Sequence, residues 1–168
     1  MLKISVDGLI FEFPEQWQAS KYDEWSFYRN QFSQMWSGIK SLDLLAIDPQ
    51  KTGWLIEVKD YRIHQRAKPL DLAEEVARKV FDTLAALPPT GVNSNDSTER
   101  AMAKTILSAK QYRVVLHLEQ PVKHSKLRPR AIDPAHIKQK LRKLLKPIDA
   151  HPLVVEMTNM SSLAWSVN

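Results

Sequence analysis

The segment that most constrains this chain is Ser41–Arg62, where two apolar runs, Leu42–Ile47 and Trp54–Val58, flank a polar turn holding Pro49 and Gly53. Runs of that length bounded by turn residues predict the two strands of a β-hairpin. Charges sit inside these strands. Asp43 interrupts the first run, and Glu57 and Lys59 stand two apart on the second, so their side chains leave on one face. Ionisable groups buried without partners cost several kcal/mol, so partners, a metal ion or solvent must meet them. Directly opposed residues of an antiparallel pair share a face. A register that pairs Asp43 with Glu57 or Lys59 therefore gathers all three, and a slip of one residue sends Asp43 to the far side. The turn length admits both registers.

The flanking sequence supplies the layers such a hairpin needs. Leu2–Val6 and Leu9–Phe13 flank Asp7-Gly8, the dipeptide favoured by a type I′ turn. A helix is predicted from Ser20 to about Trp36, with Ser20 as cap, Asp23 near the capping-box position and Gly38 as its stop. Its aromatic stripe, Tyr22, Trp25, Tyr28, Phe32 and Trp36, is expected in the core rather than as a base-stacking surface. Asp71 is predicted to cap a second helix, with Glu74 at the capping-box position, the stripe Leu72, Val76, Val80 and Leu84, and a stop at Pro88-Pro89. Residues 90–99 have the composition of a mobile loop, expected to be an inert insertion rather than a lid. Arg100–Lys110 is expected as a short helix and Tyr112–Leu118 as a strand. Asp133-Pro134 opens a last helix to Lys146, and Pro152–Met157 and Leu163–Val167 close the chain as strands. This order predicts one domain over residues 1–168 with a mixed α/β (α+β) layout.

Composition narrows the function. There is no cysteine, which excludes disulfides and thiolate metal sites and fits a reducing compartment. No run reaches the roughly 18–20 apolar residues of a membrane span, so a cytoplasmic protein without membrane contact is expected. The net charge of +5 is uneven: residues 1–100 carry 12 Lys and Arg against 15 Asp and Glu, and residues 101–168 carry 12 against 4. A basic half points to a polyanion such as nucleic acid. The five histidines have no metal-ligand spacing, and no P-loop, dinucleotide or nucleophilic-serine motif is present.

Two carboxylates with a backbone carbonyl and water suit Mg²⁺ or Mn²⁺. An acid on one strand, a turn, then Glu-x-Lys on the next, here Asp43 and Glu57-Val58-Lys59, resembles the active-site motif of the PD-(D/E)XK nuclease superfamily. The resemblance covers roughly Glu24–Leu118, with Leu42 standing where the family name has proline. It implies a restriction-endonuclease-like mixed central sheet flanked by helices, and Mg²⁺- or Mn²⁺-dependent hydrolysis of phosphodiesters, in DNA ahead of RNA. It further implies metal ligation by Asp43, Glu57 and the Val58 carbonyl, with Lys59 as the catalytic lysine. Glu24 is the best-placed acid on the preceding segment, with Asp23 and Glu15 behind it. Arg62 and Gln65, just past the lysine strand, and Lys123, Lys126, Arg128 and Arg130 of the basic loop are the expected nucleic-acid contacts. Many members of the superfamily are homodimers that cut both strands, an arrangement left open here. The alternative is a non-catalytic nucleic-acid-binding or assembly module with the same fold, held by the basic region 123–146.

Overall fold

The computed structural model describes residues 1–68, 70–127 and 130–168. Its organising element is a five-stranded mixed sheet in the order β3 (Gln18–Lys21), β4 (Leu44–Ile47), β5 (Thr52–Asp60), β6 (Gln111–Glu119), β7 (Leu153–Val155). Pairing is antiparallel from β3 to β5 and parallel from β5 to β7. Parallel neighbours need a long crossover, and helices supply it. α2 (Leu72–Asn93) and α3 (Ser97–Leu107) link β5 to β6, and α4 (Pro134–Leu145) links β6 to β7. The result is a mixed α/β protein of the α+β kind.

Both faces of the sheet are covered, which explains why β4 and β5 read as unbroken apolar runs. Leu45, Ile47 and Leu55 face the helices, packed with Val76, Val80, Ile106 and Leu141. Leu44, Ala46, Ile56 and Val58 face a second, three-stranded sheet of β1 (Leu2–Val6), β2 (Leu9–Phe13) and β8 (Ser166–Val167). The β1–β2 turn is as the sequence predicts, with Asp7 at φ 50° and Gly8 at φ 82°. Asp71 and Asp133 cap α2 and α4 by accepting backbone N–H groups.

Three expectations are overturned. The helix expected over Ser20–Trp36 is instead the edge strand β3, a 3₁₀ turn over Tyr22–Glu24, a short α1 (Ser26–Asn30) and a second 3₁₀ turn over Phe32–Gln34. Trp25 breaks it in an extended conformation (φ −62°, ψ 132°), and its indole N–H donates to the Ser20 hydroxyl that was expected to cap. Most of the aromatic stripe is nevertheless core; Trp36, 65% exposed, is the exception.

The prolines do not stop α2, which runs through Pro88 and Pro89 to Asn93. The lost N–H groups fall in its final turns. There the Thr90 hydroxyl donates back to the Ala86 carbonyl, and Gly91 lets α3 approach closely. Residues 90–99 are not a mobile insertion. Ser94 and Glu99 are buried, and Asp96 caps α3 by accepting from the Thr98 and Glu99 N–H groups. Their polarity serves helix ends rather than solvent.

Candidate active site

The register left open by the sequence is settled by the pairing of Leu44 with Ile56. Continued by one residue, it sets Asp43, just before β4, opposite Glu57. Both then share the helix-side face with Lys59, because Leu45 and Leu55 point to that side. The Asp43 carboxylate Oδ2 accepts the Val58 N–H at 2.7 Å, and the Asp43 carbonyl accepts the Tyr22 N–H at 2.9 Å. The acid is thereby fixed from both sides. β4 pairs no further than Leu44, so β5 projects past it. In a strand a residue's N–H and C=O leave on the same side, which puts the Val58 carbonyl beside Asp43.

Glu57 is fully buried. Its Oε1 accepts from the ammonium groups of Lys59, at 2.8 Å, and of Lys79 on α2. Among the described residues, its Oε2 has no partner. Burial, then the nearby Asp43 charge, push the Glu57 carboxyl up to about 7, against the pull of Lys79 and Lys59. Burial alone would lower the Lys59 ammonium, but Glu57, with Glu75 and Asp43 behind it, outweighs that and holds it above the usual lysine range. Glu75 on α2 accepts from Arg66 and pairs with Lys59 at 3.3 Å and Lys68 at 3.2 Å. Burial opposes its charge, yet these cations hold its carboxyl down to about 2. A buried charge is tolerable when paired in this way.

The remaining expected residues divide. Glu24 lies on the surface, with its carboxylate 2.6 Å from Lys21. Its neighbour Asp23 is the acid near the site: half-buried, Oδ1 without a partner among the described residues, its carboxyl raised by burial and then by Asp43. Glu15 is exposed and meets the N-terminal amine at 3.6 Å. The Arg62 guanidinium is held by Asp60 at the end of β5, and Arg130 donates to the Pro121 carbonyl and to Glu156. Gln65, Lys123 and Lys126 are exposed. Arg128 lies outside the described residues. Asp48 serves the turn, accepting from the Thr52 N–H and the Trp54 indole.

Lys79, Glu75 and Arg66 were not read from the sequence. The signal for two of them was there. Glu75 and Lys79 are four apart inside the apolar stripe of α2, and so point at the sheet together.

Among the described residues, no group of three or more His, Asp or Glu converges as a ready-made metal cage. Strand register and strand geometry place the Asp43 and Glu57 carboxylates and the Val58 carbonyl as the neighbouring oxygen donors here. Among the described residues Glu57 Oε2 lacks a partner, and the Asp43 charge raises the cost of ionising Glu57. This donor set fits Mg²⁺, which is held by one or two carboxylates and keeps several waters.

The chain is 28% identical over 209 aligned residues to a cysteine--tRNA ligase of Neisseria meningitidis serogroup A / serotype 4A. The alignment takes in the whole of this chain and only 30% of that protein. No family model matches the chain, and no solved structure matches it. The chain therefore spans less than a third of the curated relative's length.

Proposed function

We propose that this protein hydrolyses phosphodiester bonds in nucleic acid by PD-(D/E)XK-type chemistry with Mg²⁺ or Mn²⁺. The observation that carries the proposal is the register: Asp43 opposes Glu57, with Lys59 next on the same face and the Val58 carbonyl turned toward Asp43. When bound, a divalent cation would polarise a phosphoryl oxygen and lower the pKa of its water. Asp43, Glu57 and the Val58 carbonyl would hold it. Lys59, already drawn to Glu57, sits where an ammonium stabilises charge developing on the phosphate or orients the attacking water. Asp23 supports the same region from the preceding turn, a role first assigned to Glu24. The site lies toward the carboxyl end of β5, the end of a parallel sheet where ligands are usually met. A cytoplasmic setting goes with this reading. The relative's name, a ligase for tRNA, brings RNA onto the substrate panel beside DNA.

The test is cleavage of supercoiled DNA and of labelled RNA with Mg²⁺, Mn²⁺ or EDTA. Cleavage should need the cation, fall at least about a hundredfold in Glu57→Ala and Lys59→Ala, and survive in Glu24→Ala. Activity in EDTA, or wild-type rates in both site variants, would sink the proposal. One observation favours the second reading, a non-catalytic binding module. Glu57 Oε1 already takes two ammonium groups, so the charges balance without a metal. Nucleic-acid binding that EDTA leaves intact, with no cleavage of either polymer, would decide for it.

A further inference from the structure

We propose that the exposed flank of α4 is a docking surface for the phosphate backbone of nucleic acid, separate from the Asp43–Glu57–Lys59 site. The inference rests on the nucleic-acid part of the function proposed above and not on cleavage.

α4 carries no acidic residue across Pro134–Leu145. Ile137, Leu141 and Leu145 are buried in the helix-side core. Relative to that buried stripe, Lys140 turns toward α2, where its ammonium meets the Asp71 carboxylate at 2.7 Å. The other basic residues are left over. Lys138, Arg142 and Lys146 stand four apart along the flank away from α2, with Lys143 above them. All four are exposed, and among the described residues none makes an ion pair. The exposed Lys123 and Lys126 lie in the loop that leads into this helix.

The chemistry selects the partner. Lys138 to Lys146 spans about 12 Å at 1.5 Å per residue. A duplex presents roughly one phosphate per 1.7 Å of axis, so about seven phosphates lie beside that run, enough for four cations. A membrane-surface helix would need its apolar stripe free to enter lipid, whereas this stripe is spent in the protein's own core. Phosphate contacts of this kind position a nucleic acid without reading its sequence.

The experiment is fluorescence anisotropy of a labelled 20-bp duplex, DNA and RNA in turn, in EDTA and across a salt series. Replacing Lys138, Arg142, Lys143 and Lys146 by Gln should flatten the plot of log affinity against log salt by about 3.6, from roughly 0.9 per phosphate contact. Between 50 and 200 mM salt, that is on the order of a hundredfold of the wild-type salt dependence. Arg142→Gln with Lys146→Gln should remove about half, and both variants should keep the wild-type circular dichroism and melting temperature. A control with Lys40, Lys51, Lys104 and Lys110 replaced should keep most of the slope. The proposal is overturned if wild type binds no duplex, if the control loses as much as the α4 variant, or if the α4 variant loses only binding to phosphatidylserine vesicles. If the slope flattens although wild type cleaves nothing, the surface stands and the nuclease falls. If cleavage is seen and the slope is unchanged, the surface falls alone.

Discussion

Replacing Glu57 by Gln should change the pH dependence of stability between pH 4.5 and 7. Glutamine keeps the shape and leaves an oxygen for Lys59 and Lys79, while removing the titration. The Glu57 carboxyl is raised from an ordinary 4.5 to about 7, first by complete burial and then by Asp43. At about 1.4 kcal/mol per pH unit, the shift corresponds to about 3 kcal/mol. The sign follows from proton uptake. Between pH 4.5 and 7 the folded protein holds a proton on Glu57 that the unfolded chain has released, so stability falls as pH rises. Below pH 4.5 the effect is absent; above 7 it is complete. Urea unfolding of both proteins in EDTA, from pH 4 to 8, measures it. Wild-type stability minus that of Glu57→Gln should drop by about 3 kcal/mol across that range, mostly between pH 4.5 and 7. A difference that stays level, or rises with pH, would refute the assignment of Glu57 as a buried acid strained by Asp43.

Asp23→Asn should shrink the rise in melting temperature that Mn²⁺ gives wild type, and Glu24→Gln should leave it unchanged, since only Asp23 is close enough to Asp43 to be raised by its charge. Glu99→Ala should cost about 3 kcal/mol in urea unfolding, because it strips acceptors from the Ser26 and Phe27 N–H groups at the start of α1. Gly53→Ala should cost about 1–3 kcal/mol, since the added methyl would meet the Tyr112 ring at 2.9 Å. Combining Gly53→Ala with Tyr112→Leu should cost less than the sum of the two if that clash is the cause.

What the sequence made legible was whatever depends on a short repeat or a local cap. The strands around Asp7-Gly8, the apolar runs of β4 and β5, and the caps Asp71 and Asp133 are all where their residues place them. Where it misled, a distant partner decided the local structure. Ser20 has the residue type of a helix cap, but pairing with Leu45 draws it into an edge strand, and the start of α1 is satisfied by Glu99, 73 residues further along the chain. Asp96 and Ser97 have loop chemistry that turned out to begin a helix. In the site itself, Asp43, Glu57 and Lys59 could be named from spacing on two strands. The choice between Asp23 and Glu24 could not, because it turns on one residue's orientation in a 3₁₀ turn. Lys79 was hidden for a related reason: it reaches Glu57 across the sheet–helix interface, 22 residues on.

The most direct test of the central claim is an anomalous-difference map from crystals of the protein soaked in Mn²⁺. A bound cation held by Asp43, Glu57 and the Val58 carbonyl predicts one peak within about 2–2.5 Å of those oxygens, absent from Glu57→Gln crystals soaked identically. A map with no peak there at millimolar Mn²⁺, or an equal peak in Glu57→Gln, would contradict it.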